Sequence, residues 1–265
     1  MKFKDKVTVI TGGATGIGLA YARRFAKEGS AVVIGDMRDA AGADAVKALR
    51  ESGGRAAYFH ADVTKRDEVA ALFQGALNTF GRVDFCIANA GIVHDSGFLE
   101  LEEEDFDRVM DVNVKGVFLT GQEAARAMIA TRKAVRDWRG GVIINIASTN
   151  AVVVQHGQVA YPVSKGAVNL LTKVMAISLA DDGIRVVAIG PGPTRTEMLD
   201  NVIKNHPEFM KNVSLRTPLR RPAEVDEIAG VAVFLASEDA GYITGQTIYA
   251  EGGRLCLNYM MPERS

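Results

Sequence analysis

Short apolar runs and longer stretches of helical spacing take turns along this chain. Val7–Thr11, Ala31–Gly35, Ala56–Ala61, Val83–Ala88, Val142–Ala147, Ile184–Gly190 and Thr247–Ala250 have the length and composition of buried strands. Between the first two, Ile17, Ala20, Tyr21, Arg24 and Phe25 recur at the spacing of one helix face, which predicts a helix from Gly16 to Glu28. The same spacing predicts helices over Ala40–Glu51, Arg66–Phe80, Glu103–Arg132, Val159–Ala180 and Ala223–Ala236. Strands that alternate with helices are joined by crossovers, so the sheet is expected to be parallel and covered on both faces. Right-handed crossovers then favour an α/β, doubly wound, seven-stranded parallel sheet. No linker divides residues 1–265, which read as one domain. Two segments break the alternation. Thr131–Arg139 is a charged extension expected to be a longer helix end or a loop at the far edge of the sheet. Residues 194–217, flanked and interrupted by Pro193, Pro207 and Pro218, are expected to be a mobile excursion that covers a substrate.

Composition narrows the classes. The chain has 265 residues, 48% hydrophobic and 24% charged, enough to build a core without disulfides. With 31 Lys and Arg against 32 Asp and Glu, it lacks the basic excess of a nucleic-acid or anionic-membrane partner. Cys86 and Cys256 form no C-x-x-C pair. His60, His94, His156 and His206 show no ligand spacing, so no metal is expected. The first apolar run is too short for a signal peptide, and no stretch approaches a membrane span. A soluble cytoplasmic protein is expected.

The first chemical signal is Thr11-Gly12-Gly13-Ala14-Thr15-Gly16-Ile17-Gly18, set between a predicted strand and a predicted helix. Glycines let the backbone turn sharply and approach a pyrophosphate, and the helix N-terminus offers free N–H groups and positive potential. That context points to a dinucleotide. Asp36 ends the second strand, where a carboxylate accepts hydrogen bonds from ribose hydroxyls and repels a 2′-phosphate. NAD is therefore expected over NADP, although Arg38 stands close enough to accept such a phosphate.

The second signal is Tyr161-Pro162-Val163-Ser164-Lys165. Residues four apart share a helix face, so Tyr161 and Lys165 stand side by side. Taken alone, such a pair is commonly a packed aromatic beside a solvated amine. Here it follows Ser148, at the C-terminal end of a predicted strand, where parallel sheets bind ligands. A cation beside a phenol is expected to lower its pKa and suit it to acid–base work on an alcohol or ketone.

These motifs, with Asp62-Val63, Asn89-Ala90-Gly91, Asn113 and Pro191-Gly192 in order, resemble the short-chain dehydrogenase/reductase family over Val7 to Gly253. The resemblance implies a Rossmann domain and a set of roles. Tyr161 would exchange a proton with the substrate oxygen, Lys165 would tune Tyr161 and bind the nicotinamide ribose, and Ser148 would polarise the substrate oxygen. Asn113 would hold a water in a proton relay. Gly12, Thr15, Gly16, Ile17, Gly18 and Asp36 would hold the adenosine and pyrophosphate half. Asp62 and Val63 would meet the adenine, and Asn89, Ala90 and Gly91 would stand beside the ribose. Pro191, Gly192, Thr194 and Thr196 would orient the carboxamide. The chain departs from the family at Ala88 and Gly190, where asparagines are frequent, and at Thr194, a commonly aliphatic place. Thr15 replaces an arginine common in NADP-dependent reductases of fatty-acid synthesis, which agrees with NAD.

His94, Asn150, Gln155 and His156 fall in stretches that border the family's substrate pocket. Their polarity points to a hydroxylated substrate, and ordinary solvated loop residues are the competing reading. Glu102–Asp105 is expected to place acids in a helix's first turn. The expected activity is NAD-dependent oxidation of a secondary alcohol, polyol or sugar. The alternatives are an NADP-dependent 3-oxoacyl reductase and a non-catalytic nicotinamide-sensing protein. A homotetramer or homodimer is the assembly that the resemblance implies.

Overall fold

The central strands of this protein carry apolar side chains on both alternations, and each alternation has its own layer of helices to bury it. The computed structural model describes residues 1–136, 138–197, 199, 203–204 and 208–262. The strands are β1 (Val7–Thr11), β2 (Ala31–Asp36), β3 (Ala56–His60), β4 (Phe85–Ala88), β5 (Gly141–Ile146), β6 (Ile184–Pro191), β7 (Thr194–Arg195), β8 (Ala223–Glu224) and β9 (Thr247–Ala250). The helices are α1 (Gly16–Lys27), α2 (Asp39–Glu51), α3 (Arg66–Phe80), α4 (Glu103–Met110), α5 (Gly116–Ala134), α6 (Ala160–Leu179), α7 (Glu208–Arg216) and α8 (Val225–Ala236). Seven strands form a parallel sheet in the order β3-β2-β1-β4-β5-β6-β9, the doubly wound arrangement. Ile10, Ile34, Ile87, Ile144 and Ile189 pack with Tyr21 and Phe25 of α1 and Ile228 of α8 on one face. Val9, Val33, Cys86, Ile143 and Val186 pack with Leu72 of α3, Met128 of α5 and Met175 of α6 on the other. Burial on both faces explains why the strands read as continuous apolar runs rather than alternating ones.

Boundaries shift where side chains intervene. The strand predicted from Val83 starts at Phe85, because buried Asp84 turns its carboxylate onto the Val7 N–H at 2.9 Å and onto Arg82 Nε at 2.7 Å. The helix predicted from Ala223 starts at Val225. Ala223 and Glu224 instead pair with Thr194 and Arg195 as a separate two-stranded sheet, and Glu227 accepts the Glu224 N–H at 2.8 Å to close the helix start. The expected Thr131–Arg139 extension is helical to Ala134, position 137 lies outside the described residues, and β5 begins at Gly141 at the N-terminal edge of the sheet. The helix predicted over Glu103–Arg132 contains one wide π turn, Asp111–Lys115, between α4 and α5. Acids at Glu103, Glu104 and Asp105 occupy the first turn of α4. Within the expected excursion, α7 is helical, a feature the scattered prolines hid. Positions 198, 200–202 and 205–207, His206 among them, lie outside the described residues.

Candidate active site

The C-terminal ends of β1, β2, β4, β5 and β6 meet along one edge of the sheet, and the predicted residues gather there. Between β1 and α1 the chain must reverse within a few residues. Gly12 and Gly16 take φ of +62° and +55°, which a side chain would strain. A Cβ on Gly18 would collide with Gly12 O and stand 2.7 Å from Asn89 Nδ2. Asn89 holds this loop by donating from Nδ2 to Thr11 O at 3.2 Å and Gly12 O at 2.9 Å. Thr15 precedes α1 in extended conformation with no side-chain cap, which leaves N–H groups at the helix start open to an anion.

Asp36 closes the end of β2, its side chain only 5% exposed. It accepts the Ala14 N–H at 3.1 Å and a two-pronged contact from Arg38, Nε to Oδ1 at 3.0 Å and Nη2 to Oδ2 at 3.1 Å. Burial alone would raise its carboxyl, but the Arg38 bonds and the two backbone N–H bonds outweigh that and hold it below its ordinary value. The Arg38 guanidinium is thus engaged with Asp36 in this structure. Asp62 accepts the Thr64 N–H at 3.0 Å and hydroxyl at 2.8 Å, and Val63 is buried against Gly116. These groups frame the space beyond β2 and β3.

Tyr161 lies on the first turn of α6, with Lys165 one turn on and its Nζ 5.6 Å from the phenol ring centroid. The pKa expectation of the pair is overturned in part. Burial pushes the Tyr161 phenol up, and a hydrogen bond with Ser148 offsets only part of that. Burial also pushes Lys165 down, to about 8: the residue is 4% exposed, and it makes no ion pair among the described residues. Lys165 Nζ donates instead to Ile146 O at 2.8 Å, so its charge is spent on a carbonyl rather than on the phenol. The Asn150 N–H donates to Ser148 Oγ at 3.1 Å and fixes that hydroxyl at the end of β5.

Asn113 sits in the π turn, fully buried, where the extra residue turns its amide toward the site. Oδ1 accepts the Ile92 N–H at 2.8 Å, and Nδ2 donates to Ile92 O at 2.9 Å and Ser164 Oγ at 3.0 Å. Both amide donors are engaged with protein, which leaves only a lone pair of Oδ1 for a water. A Cβ on Gly91 would lie 3.2 Å from Asn113 Oδ1 and 3.5 Å from Lys165 Nζ, so this glycine lets the three elements meet. Ser164 escaped the sequence reading. It donates to Tyr161 O at 2.7 Å, and its place between Tyr161 and Lys165 was the available signal.

The other side of the site is mixed. Thr194 Oγ1 donates to Gly192 O at 3.0 Å, and Thr196 approaches the glycine loop near Gly16. Gly192 and Pro191 end β6 beside Ala250. Of the proposed substrate residues, Asn150 is buried, whereas Gln155 and His156 are exposed. His94 pairs with Asp105 at 3.4 Å. Gln158, which sequence reasoning did not single out, joins Asn150 to Asp95, the neighbour of His94, in a chain. Asn150 Nδ2 donates to Gln158 Oε1 at 2.7 Å, and Gln158 Nε2 donates to Asp95 Oδ1 at 2.9 Å. Among the described residues no cluster of three metal-ligating side chains occurs, and no helix is long and apolar enough to cross a membrane.

Comparison with known proteins agrees with this arrangement. The family model described as enoyl-(acyl carrier protein) reductase matches residues 12–254. An uncharacterised oxidoreductase of Thermotoga maritima is 38% identical over 96% of this chain and 98% of the relative. Cis-4-hydroxycyclohexanecarboxylate dehydrogenase of Sinomonas cyclohexanicum is 37% identical over 95% of this chain and 97% of its own. The solved structure of a short-chain dehydrogenase/reductase from Serratia marcescens superposes with a TM-score of 0.86 at 34% identity, covering 96% of this chain and 99% of that one.

Proposed function

The chain belongs to the short-chain dehydrogenase/reductase family of oxidoreductases, and from that premise we propose that it interconverts a secondary alcohol, polyol or sugar and its ketone with NAD. Members of the family use a nicotinamide cofactor, NAD or NADP. The glycine cradle that any Cβ would fill, the open start of α1 and the ribose-side carboxylate of Asp36 fit such a dinucleotide. Gly12, Thr15, Gly16, Ile17 and Gly18 would hold its pyrophosphate, Asp62 and Val63 its adenine, Asn89, Ala90 and Gly91 the ribose side. Pro191, Gly192, Thr194 and Thr196 would hold the nicotinamide end. Asp36 stays ionised and keeps Arg38 engaged, which supports NAD over NADP.

When bound, the nicotinamide supplies hydride uptake from the carbinol carbon, or hydride delivery to the ketone. The Tyr161 oxygen takes the hydroxyl proton in oxidation and returns it in reduction. Ser148 holds the substrate oxygen beside it and, through its hydrogen bond with Tyr161, works to lower the phenol, while Lys165, one turn on, would bind the nicotinamide ribose. Asn113 positions Ile92 and Ser164, and through Ser164 the start of α6. Because burial pushes the phenol up, oxidation, which needs the phenolate, accelerates as pH rises, and reduction is favoured on the acid side.

The observation that carries this reading is the convergence of Tyr161, Lys165 and Ser148 beside the glycine cradle. The experiment is an initial-rate panel of glucitol, glucose, cyclohexanol and cis-4-hydroxycyclohexanecarboxylate with NAD and with NADP, on wild type and Tyr161→Phe. We expect kcat to fall by at least about 100-fold in the variant, with NADH binding by fluorescence retained. A folded Tyr161→Phe protein with near-full activity refutes the mechanism, and a preference for NADP would move the reading to a 3-oxoacyl reductase. Retention of both Tyr161 and Lys165 disfavours a purely sensing protein.

The exposed apolar side chains Val163, Leu170, Val174 and Ile177 of α6 and Phe118 of α5 support assembly into a homodimer or homotetramer. The free thiols Cys86 and Cys256 are in keeping with a cytoplasmic, reducing compartment.

A further inference from the structure

The C-terminal ends of the strands also hold a group of donors that neither the cofactor nor the proton chemistry uses. After β9 the chain makes a tight turn through Gly252 and Gly253, with φ of +68° and +88°, and enters a single 3₁₀ turn, Arg254–Cys256. The last turn of α7 and the residues after it pack onto that turn. The Leu219 N–H donates to Gly252 O at 3.1 Å and the Met261 N–H to Leu215 O at 2.9 Å, while a Cβ on Gly253 would stand 2.9 Å from Pro218 Cγ. This packing brings Arg254 and Arg216 together as like charges. Arg254 is half-buried, and burial followed by Arg216 works to push its pKa down, with Glu251 as the opposing charge. Among the described residues neither guanidinium has a carboxylate within ion-pair distance, and the Glu251 carboxylate is turned to the Leu255 N–H at 2.8 Å. Thr217, 1% exposed, follows Arg216 and packs its methyl against Gly252, and its hydroxyl has no hydrogen-bond partner. A half-buried guanidinium that meets a second cation and, among the described residues, no carboxylate partner is costly unless an anion completes it.

We propose that Arg254 and Arg216 form a subsite for an oxyanion of the substrate, which makes the substrate an alcohol that also carries a carboxylate or a phosphate ester. The inference rests on the dehydrogenase reading for the other end of that substrate. Its geometry follows from the sheet. β9 pairs with β6 and β6 with β5, so Arg254 follows a strand two places from the one that ends at Ser148. Adjacent strands lie about 4.8 Å apart, which sets the two strand ends roughly 10 Å apart. An arginine side chain shortens that gap to the span of a small hydroxy acid or sugar phosphate. A planar guanidinium also matches carboxylate and phosphate oxygens two at a time.

The test compares matched probes on wild type, Arg254→Ala, Arg254→Lys and Arg216→Ala. The carboxylate arm is cis-4-hydroxycyclohexanecarboxylate against cyclohexanol, and the phosphate arm is glucitol 6-phosphate against glucitol. A charge-assisted bond of this kind is worth about 10- to 100-fold, so wild type should favour one anionic member by that factor in kcat/KM, and Arg254→Ala should abolish it through KM. Arg254→Lys should retain part of the preference, and whichever arm shows the effect identifies the anion. Thermal shift with the same probes reads binding without turnover. If no alcohol is oxidised but an anionic probe raises the Tm of wild type and not of Arg254→Ala, the dehydrogenase reading falls and the subsite stands. If alcohols are oxidised and the anionic-to-neutral ratio is the same in wild type and Arg254→Ala, the subsite falls and the dehydrogenase reading stands. An Arg254→Ala protein that keeps the ratio and loses its oligomeric state assigns the arginines to an interface and overturns the proposal.

Discussion

Replacing Lys165 by Met should make the protein more stable at neutral pH while disabling it. The residue is 4% exposed, and burial lowers the amine's pKa from 10.5 to about 8. Below pH 8 the lysine is charged in both folded and unfolded chains, and the folded state bears the full cost of burying that charge. A shift of this size corresponds to roughly 3 kcal/mol. Methionine matches the side chain's length and carries no charge. It forfeits the bond from Nζ to Ile146 O, 2.8 Å long, which is worth about 1 kcal/mol net. The balance is a gain of about 2 kcal/mol, or roughly 4–8 °C in Tm for a chain of this size. The sign with pH is distinctive. Between pH 8 and 10.5 the unfolded chain holds the extra proton, so wild-type stability rises with pH relative to Lys165→Met. The advantage of the variant should therefore be largest below pH 8, fall as pH rises, and turn into a deficit of up to about 1 kcal/mol, the lost bond, toward and above pH 10.5. Urea unfolding of both proteins at a series of pH values measures it, with alcohol oxidation assayed alongside. A Lys165→Met protein less stable than wild type at pH 7, or a stability difference that ignores pH, refutes the reasoning.

Two other substitutions probe the cofactor and the scaffold. Asp36→Ala removes the carboxylate and releases Arg38, so the ratio of kcat/KM with NADP to that with NAD should rise tenfold or more, the equivalent of about 1.4 kcal/mol, as initial rates with both cofactors would show. Asn113→Ala strips partners from the Ile92 N–H and carbonyl and from Ser164, and should cost about 2–4 kcal/mol in urea unfolding while slowing turnover through a displaced Tyr161.

Most of the architecture could be read in the chain because burial on both faces of the sheet writes itself as unbroken apolar runs, and crossovers leave few topologies. What escaped was set by tertiary pairing. Ala223 and Glu224 continue an apolar helical pattern, yet a partner at Thr194 and Arg195 draws them into a strand. The π turn around Asn113 leaves no mark in a helical period, since it inserts a single residue between two regular helices. At the site, residue types and spacing announced Tyr161, Lys165 and Ser148, because four positions on a helix fix a shared face. The sign of the Tyr161 shift was not legible. It depends on how much solvent the phenol loses and on the Ile146 carbonyl that accepts the lysine's hydrogen bond, neither of which spacing reveals. Arg254 and Arg216 are far apart in sequence, and only the packing of the turn after β9 on the end of α7 brings them together.

The strand order has a consequence for how the protein is made. β1, the first strand synthesised, ends in the middle of the sheet with β2 on one side and β4 on the other. Once Asn89 has left the ribosome, its amide can clasp Thr11 and Gly12, so the nucleotide cradle is complete before the proton-handling helix exists. The far edge waits longest. β6 ends beside the reacting groups and has only β9 to cover its free flank, and β9 begins at Thr247. Until that strand arrives, every chain in production presents an unpaired, apolar strand edge to its neighbours, which is the form in which unfinished sheets stick together. A truncation that removes the last twenty or so residues would hold the protein at that stage permanently, with an intact cradle and an edge that seeks another chain.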